Sequence, residues 1–501
     1  MRRDLRTALG FCVAFGLLLS LAMTLVWRGY INEAALRLWA DVLMTWETRG
    51  FASERLTLLY PQLRFYLALL FYPFTALRSW ASLYTLSAIV ATGLLAAWYA
   101  LVFRATRHAV LSFACTLVLA THPFFLWSAT RGGVEAVNLL GATALAVALG
   151  YMMRAPVFRG AILLAGTLAA YLILDERFPY LAVALLPLLA LFAPPQIMSR
   201  SVTAFYLITL MPLAAVVLSY LYVNWLFAGG ALAFAEDPNS VFHGARAQTQ
   251  TTPWLLSFGG GFVSPLVVGC ALAFASAPAP LAALAWHRRI PERARPLAVT
   301  YAVPILALAL ATMNNFAAHA VEFLQLLLVP TVLAFTTAGQ APRRLAFLLA
   351  LAVLGHVGAW ASVHAWPSDD LRRWTGALTG NLTDAGSFEP ERAFLAWIEG
   401  REGIMLDDRL GFPLIAGLGT ARPFVLPAEP GFKEATVIGR LVAPMVAVPD
   451  PRREGATGDQ LNQNFPGLYD GGAAGYRLAY DRLGWRVYER TRPARLLGRS
   501  P

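Results

Sequence analysis

The chain has 501 residues, of which 58% are hydrophobic and only 14% charged, and 40 Lys and Arg against 29 Asp and Glu give a net charge of +11. Soluble domains carry about 25% charged residues, so this composition excludes a soluble enzyme, a disordered protein and a disulfide scaffold. The three cysteines, Cys12, Cys115 and Cys270, each lie in an apolar run without a neighbouring partner, which argues against both a disulfide framework and a CxxC metal site.

Apolar runs of about 20 residues, the length that crosses a bilayer core of about 30 Å, recur along residues 1–364. The first run follows Arg2, Arg3 and Arg6 like a signal peptide, but it is too long and lacks a small-residue cleavage site, so we interpret it as a retained helix. The sequence predicts about eleven membrane-spanning helices, at 9–27, 81–103, 109–127, 134–153, 161–175, 179–193, 202–224, 262–286, 296–313, 320–337 and 345–364.

The first outer loop, residues 28–80, contains an apolar stretch at 56–77 that resembles another span. Pro61, Gln62 and Arg64 argue against a crossing, because an unpaired Arg near the centre of a span costs about 2.5–3.5 kcal/mol on insertion scales. We therefore expect 56–77 to form an interfacial or re-entrant helix.

Arginines mark the connections on one side of this arrangement. Short cytoplasmic loops collect Lys and Arg, so the pattern predicts a multi-pass protein of the cytoplasmic membrane with its N-terminus in the cytoplasm. Topology thereby explains the basic excess, and we discard nucleic acid as a partner. The arginines on this side are Arg2, Arg3, Arg6, Arg104, Arg107, Arg154, Arg159, Arg200, Arg288, Arg289, Arg293, Arg295, Arg343 and Arg344.

After residue 364 the composition becomes polar, and no further run is long enough to span a membrane. An odd number of spans places this tail, 365–501, outside the cytoplasm. Its short apolar runs, one helical pattern at 390–398, and two β-rich segments flanking Leu483-Gly484 predict a small α/β domain that ends in a hairpin.

Ionisable residues gather at the predicted outer ends of the spans, where burial near hydrocarbon is costly without a function or a partner. Carboxylates there can accept a proton from an attacking hydroxyl, and arginines can bind a phosphate. This mixture suits a phosphorylated, hydroxyl-bearing substrate. The candidate residues are Asn32, Glu33, Asp41, Arg64, His122, Arg131, Glu135, Asp175, Glu176, Arg177 and His319. Further polar residues expected on the same side are Glu236, Asp237, His243, Arg246, Asn314, Asn315 and Glu322.

Several of these segments resemble the GT-C glycosyltransferases, which include protein O-mannosyltransferases and the aminoarabinose transferases that modify lipid A. Tyr30-Ile-Asn-Glu-Ala-Ala-Leu-Arg-Leu-Trp-Ala-Asp, with Leu59-Tyr-Pro-Gln-Leu-Arg-Phe-Tyr, resembles the first outer loop of that superfamily. Thr121-His-Pro-Phe-Phe-Leu-Trp-Ser with Glu135 is similar to its second outer loop. Leu174-Asp-Glu-Arg-Phe-Pro and His319-Ala-Val-Glu-Phe-Leu-Gln resemble its later outer segments.

The resemblance implies a polytopic helical fold with a soluble C-terminal domain, and a transferase that uses a polyprenyl-phosphate sugar. In that superfamily an Asp-Glu pair begins the first outer loop, and its Asp is the usual base. This chain has Asn32 followed by Glu33. Either Glu33 is the base, which we favour, or Asp41 is, or the chain is not an active transferase. Arg177 is the resulting candidate for the donor phosphate, with Arg131 and Arg64 behind it.

Structural interpretations of the same residues remain open. Glu33 could pair with Arg37 at i+4 on an interfacial helix, and Glu135 could pair with Arg131 in the same way. Residues 175–177 could form a plain polar turn, and His122 could be a satisfied helix-end residue.

The sequence thus predicts an inverting membrane glycosyltransferase that moves a sugar from a polyprenyl-phosphate donor to an envelope glycan, lipid or protein acceptor on the outer face. No cofactor is required by the sequence; carboxylates could serve a divalent metal, but no helical metal-ligand spacing such as HxxxH indicates one. The alternative is a non-catalytic transporter or scaffold for lipid-linked or anionic envelope precursors. Matching Gly/Pro breaks in the two halves would favour a transporter, and we find none in the sequence.

Overall fold

A computed structural model describes residues 2–48, 62–74, 81–154, 157–193, 201–236, 263–313, 320–365, 369–381, 388–453 and 456–491. Within these ranges the chain is mostly helical and forms two compact units. The bundle unit comprises Met1–Trp27, Thr57–Arg64 and Tyr84–Asn381. The α/β unit comprises Arg28–Leu56, Phe65–Leu83 and Leu382–Pro501.

Long apolar helices and shorter apolar segments make up the bundle unit. Ala and Leu have high helix propensity, and small residues such as Ala allow helices to pack closely in an apolar environment. The helices are α1 (Arg2–Trp27), α4 (Ala81–Thr106), α5 (Ala109–Ala120), α6 (Pro123–Thr130), α7 (Ala136–Met152), α8 (Val157–Leu174), α9 (Phe178–Leu185), α10 (Val202–Ala228), α11 (Ala233–Glu236), α12 (Val263–Ser276), α13 (Pro278–His287), α14 (Pro291–Met313), α15 (Ala320–Gln325), α16 (Leu328–Thr337), α17 (Pro342–Ala365) and α18 (Asp369–Thr379).

Five helices among the described residues are long and apolar enough to cross a membrane, or up to seven if each of two bent pairs is one span. The bent pairs are α5 with α6, at 67°, and α12 with α13, at 89°. Four shorter apolar helices occupy Ala136–Met152, Arg159–Leu174, Phe178–Phe192 and Val321–Thr337. These candidate spans agree with the prediction of a multi-pass membrane protein. The count of eleven stays a prediction, because it depends on these shorter helices.

Helix α17 packs tightly against the bend between α12 and α13. A Cβ added at Gly355 would lie 2.5 Å from the Ser276 carbonyl oxygen, and one added at Gly358 would lie 2.1 Å from that of Ala275. Only glycine allows such close backbone approach between helices. The bend is thus a packed feature of the bundle.

Two segments that follow the first predicted span contribute to the α/β unit. The first, α2 (Glu33–Glu47), packs against C-terminal residues. The second contains α3 (Gln62–Phe71), which belongs to this unit from Phe65 onward, and a 3-10 turn at Tyr72–Phe74, and it packs on α2 through Trp46 and Tyr72. Helix α3 has 10 described residues. Part of the predicted stretch 56–77 lies outside the described residues, so its interfacial or re-entrant character stays a prediction.

The rest of the α/β unit alternates short helices and strands. Its strands form one sheet in the order β2-β1-β3-β5-β4, with β1 parallel to β2 and β3, and β5 antiparallel to β3 and β4. The elements are α19 (Glu389–Ile398), β1 (Ile404–Met405), α20 (Asp408–Leu418), β2 (Phe424–Val425), α21 (Pro430–Ile438), β3 (Met445–Pro449), α22 (Gln460–Asn464), α23 (Leu468–Gly471), β4 (Tyr476–Arg482) and β5 (Trp485–Arg490).

The predicted C-terminal hairpin is confirmed. Arg482 pairs with Trp485 across the turn. Leu483 and Gly484 have φ values of 50° and 80°, the left-handed pair that a two-residue turn needs to match the twist of its strands. Met405, Val446 and Val448 from the sheet pack with Phe432 and Leu461 in the core beside it.

Glu47 ties α2 to the C-terminal part of the α/β unit. Its carboxylate accepts hydrogen bonds from the Tyr72 hydroxyl at 2.9 Å, from the Thr420 hydroxyl at 2.6 Å and from the Ala421 amide at 2.8 Å. Beside it, the Arg37 guanidinium lies 4.5 Å from the centre of the Phe412 ring. Glu47 and residues 420 and 421 therefore belong to one folded unit, although they are distant in sequence.

Two buried aspartates cap helices in this unit. Asp407 Oδ1 accepts from the Arg409 amide at 3.0 Å, and Asp459 Oδ1 accepts from the Asn462 amide at 2.8 Å. Burial raises the pKa of Asp407, and the negative charges of Asp408 and Asp459 raise it further. Burial also raises the pKa of Asp459, to about 6.

Gly358→Ala should destabilise the protein by about 1–3 kcal/mol, the typical cost of overpacking, because the new methyl group overlaps the Ala275 carbonyl oxygen. Gly166→Ala is the matched control, since a Cβ there would meet nothing within 4 Å. Heating the detergent-solubilised variants and measuring the remaining monodisperse fraction tests this. An equal midpoint for both would contradict the close packing.

The stability of the α/β unit should fall as the pH rises from 3.8, the ordinary pKa of an Asp, to about 6, the folded-state pKa of Asp459. In that range the unfolded chain ionises at this position while the folded chain keeps its proton, so deprotonation favours unfolding. Asp459→Asn keeps the capping oxygen and removes the titration. Hydrogen exchange of 459–464 in the full-length protein should therefore show a gain in protection over wild type that grows between pH 4 and 6. Exposed Asp470→Asn should show no such gain.

Candidate functional site

A sharp turn positions the first charged residues of the site. Helix α6 ends at Thr130, and α7 begins after Glu135, so Arg131 and Glu135 face each other across the turn. Gly132 has a φ of 80°, and buried Val134 has a φ of 57°. A β-branched residue in this left-handed region is strained. Such strain persists only where the surroundings enforce it, and it clusters at functional sites.

Arg131 lies at the centre of a buried ionic cluster. Its NH1 atom is 2.7 Å from Glu135 Oε2 and 2.9 Å from Glu322 Oε1. Its Nε is 3.0 Å from Asp370 Oδ2, and Arg64 also interacts electrostatically with Glu135. One guanidinium thus compensates carboxylates from α7, α15 and α18. The predicted i+4 pair of Arg131 with Glu135 is present, as part of a larger set.

The polar turn between α8 and α9 joins the same cluster. Arg177 binds Asp175 through two parallel contacts of 2.7 Å, from Nε to Oδ1 and from NH2 to Oδ2. Its NH1 atom also donates to the backbone carbonyl of Glu322, so α15 contacts Arg131 through its side chain and Arg177 through its backbone. Arg177 and Asp175 are fully buried, and Glu176 is nearly so. In this arrangement Arg177 clamps the turn to α15.

Asp370 is a member of the cluster that the sequence did not indicate. It lies on α18, beyond the last predicted span, in the segment interpreted as the start of the soluble tail. The Trp127 indole donates to Asp370 Oδ2 at 3.2 Å, and the Trp374 indole donates to the Thr130 hydroxyl at 2.9 Å. The available signal was the amphipathic pattern of 369–379, which begins with two aspartates.

The opposite end of the bundle unit is rich in arginine. His287 and Arg293 contact the carbonyl of Thr337, at 3.1 and 3.4 Å, where α16 ends. Arg295 donates to the carbonyl of Leu191 at 2.6 Å, close to the end of the segment that Arg177 begins. The ionic cluster and these basic connections therefore lie at opposite ends of the same helices.

His122 lies where two bent helices meet. It caps α6, with Nδ1 accepting from the Phe124 amide at 3.3 Å, and it also hydrogen-bonds the backbone of Ser276, where α12 ends. The His356 ring of α17 packs against it at 4.8 Å between centroids. His122 is thus a satisfied helix-end residue. The sequence analysis missed both breaks, although a proline opens the second helix of each pair, at Pro123 and Pro278.

The candidate bases between residues 28 and 80 belong to the α/β unit. Asn32 is buried and caps α2, its Oδ1 accepting from the Ala35 amide at 3.0 Å. Glu33 is exposed in the first turn of that helix, and Asp41 is half-buried further along it. Asn32 therefore has a structural task, and Glu33 remains open to solvent. His319 lies outside the described residues.

An apolar cleft lies next to the cluster within the bundle unit. Its cavity volume is about 30 Å³, which is small. Tyr171 lines it one turn before Asp175, Leu181 one turn after Arg177, and Leu326 one turn after Glu322. The other lining residues are Ala142, Leu145, Leu149, Leu185, Val299, Thr300, Val303, Pro304 and Val329.

Among the residues that the structure describes, no group of three or more His, Cys, Asp or Glu is arranged to hold a metal ion. Neither a protein-family model nor a curated protein matches this chain.

Arg131→Met should destabilise the protein by about 3–5 kcal/mol, the cost of leaving a buried charge without its partner. The triple variant Arg131→Met, Glu135→Gln, Glu322→Gln removes the two most buried of the abandoned charges and leaves only the partly exposed Asp370, so it should regain much of that loss. Thermal midpoints in detergent, with exposed Arg343→Met as control, test this. A triple variant no more stable than Arg131→Met alone would show that the charges do not depend on one another.

Proposed function

We propose that this protein is an integral-membrane glycosyltransferase that moves a sugar from a polyprenyl-phosphate donor to an envelope glycan, lipid or protein acceptor. One observation carries the proposal. Carboxylates and arginines from separate helix junctions meet at one end of an apolar bundle, whose opposite end is basic. The resemblance of the outer segments to GT-C glycosyltransferases supports the same function.

The charge of the two ends suggests an orientation. Basic connections favour the cytoplasm, so we place the end with Arg293 and Arg295 inside. The ionic cluster would then face the outer side of the cytoplasmic membrane, where a lipid-linked sugar and an envelope acceptor can meet.

The proposed reaction is a single displacement. A carboxylate removes the proton of an acceptor hydroxyl, whose oxygen attacks the anomeric carbon as the bond from that carbon to the donor phosphate oxygen breaks. Polyprenyl phosphate leaves, and the sugar inverts. Glu33 is our preferred base because it is exposed, with Asp41 as the alternative.

Arginines would stabilise the negative charge that builds on the leaving phosphate, the main electrostatic demand of such a step. The sequence favoured Arg177 for this role, but Arg177 is fully buried and bound by Asp175. We therefore propose Arg131 instead, because its guanidinium also contacts the partly exposed Asp370. Arg64 lies near the same cluster, and Arg177 contributes by holding the turn 175–177. The apolar cleft beside Tyr171 and Leu326 offers a surface of the polarity that an isoprenoid chain prefers.

A second candidate, a transporter of a lipid-linked or anionic molecule, is favoured by the two bent helix pairs. Their breaks meet at His122 and Ser276, and broken helices are typical of binding sites inside transporters. A transporter would move the lipid-linked sugar without consuming it, so the fate of the donor separates the two functions.

Glu33→Gln at equal membrane abundance should reduce transfer at least 100-fold, the lower range for loss of a general base. We expect one envelope glycan to lose a residue while a polyprenyl-phosphate sugar accumulates, as measured by mass spectrometry of both pools. Exposed Glu434→Gln in the same unit is the control, and Asp41→Asn tests the alternative base.

A deletion that changes both pools, while Glu33→Gln changes neither, would contradict Glu33 as the base and leave the transferase in place. A deletion that leaves both pools unchanged would contradict the transferase itself. Donor that accumulates on the cytoplasmic leaflet alone would favour the transporter.

A further inference from the structure

A cation and an N–H donor meet at one oxygen atom of the ionic cluster. Arg131 Nε lies 3.0 Å from Asp370 Oδ2 as an ion pair, and the Trp127 indole nitrogen donates a hydrogen bond to that same oxygen at 3.2 Å. The guanidinium also stacks over the Trp127 ring, 4.1 Å from its centre. A guanidinium beside a neutral N–H donor forms a position for an anionic oxygen.

Asp370 differs from the other carboxylates of the cluster. Its side chain is 25% exposed, against 5% for Glu135 and 7% for Glu322. Glu135 and Glu322 both bind the NH1 atom of Arg131, whereas Asp370 lies at Nε. Glu135 and Glu322 therefore lie at one edge of the guanidinium, and Asp370 lies at the edge nearer to solvent.

The helix that carries Asp370 is anchored by other residues. Leu371, Trp374 and Ala377 on α18 are fully buried. Trp374 also stacks with Trp360 and donates to the Thr130 hydroxyl. Because these contacts hold α18, rotation of the Asp370 side chain can vacate the anion position while the helix stays in place.

We infer that this position binds an oxygen of a phosphate monoester and that Asp370 is its internal competitor, which occupies the position until the phosphate arrives. The inference rests on the proposed function, since it assigns the phosphate to the donor lipid. Exchange of one anion for another keeps Arg131 compensated throughout, so no buried charge is left alone during binding.

Asp370→Asn should tighten binding of a phosphate monoester about tenfold, the gain expected when a position vacant about one-tenth of the time becomes fully available. Full-length protein in nanodiscs is titrated with radiolabelled geranylgeranyl monophosphate, with empty nanodiscs subtracted, and in parallel with inorganic phosphate. Asp369→Asn, the same charge change one residue away, is the control. Trp127→Phe removes one donor and should weaken binding about tenfold. Each variant is used only if it stays monodisperse.

A gain for Asp370→Asn with the lipid alone supports a lipid phosphate, and an equal gain with inorganic phosphate supports the position but assigns it to a soluble phosphate. Equal gains for Asp369→Asn and Asp370→Asn would overturn the inference, because general electrostatics would then explain them. If the wild type binds the phosphate monoester and Asp370→Asn binds it with the same affinity, the inference would also be overturned, without affecting the proposed transferase. Absence of binding by every variant overturns it too. If deletion of the gene leaves the envelope glycans unchanged in cells while Asp370→Asn still tightens phosphate binding, the proposed transferase would be overturned and the phosphate position would stand.

Discussion

The pairing of Arg131 with buried carboxylates is the constraint on which one end of the bundle unit depends. Ionised groups in an apolar interior are stable only when opposite charges and hydrogen bonds compensate them. Glu135 and Glu322 meet this requirement by sharing one nitrogen of Arg131, and Arg177 adds a bond to the backbone of Glu322. Ion pairs therefore hold together helix ends that are far apart in sequence. Apolar packing alone would not determine which helix ends lie together there.

The same constraint explains why polar residues concentrate at the helix ends. Charges within the apolar length of a helix would face lipid, so the sequence places carboxylates with arginines at one end and mainly arginines at the other. Broken helices add a second polar level, at His122, where backbone groups freed by a bend are satisfied by a side chain. The features that favour a transferase and those that favour a transporter thus lie at different levels of one bundle. The proposed transferase uses the ionic cluster at Arg131, and the proposed transporter would use the helix breaks at His122.

Local patterns in the sequence predicted individual elements well. Apolar runs predicted the helices, and Leu483-Gly484 predicted the hairpin because its backbone geometry depends on two residues alone. The cluster was predicted only in part. Arg131, Glu135 and Arg177 drew attention as charges beside apolar runs, whereas Asp370 follows a change to polar composition and looked like part of a soluble tail. The bends at Pro123 and Pro278 were missed because a proline in the first turn of a helix is also compatible with a straight span. No local pattern joins α2 to the C-terminal residues, because Glu47 and Ala421 are 374 residues apart.

The bonds of Glu47 also bear on the order in which the protein is made. Helix α2 leaves the ribosome soon after helix α1, while Ala421, a partner of Glu47, is synthesised 374 residues after it. Glu47 must therefore remain hydrated or held by other contacts until Thr420 and Ala421 have been translated. Completion of the α/β unit is consequently a late event in biogenesis, and a chain stopped after its last apolar helix would carry α2 without the surface on which it folds.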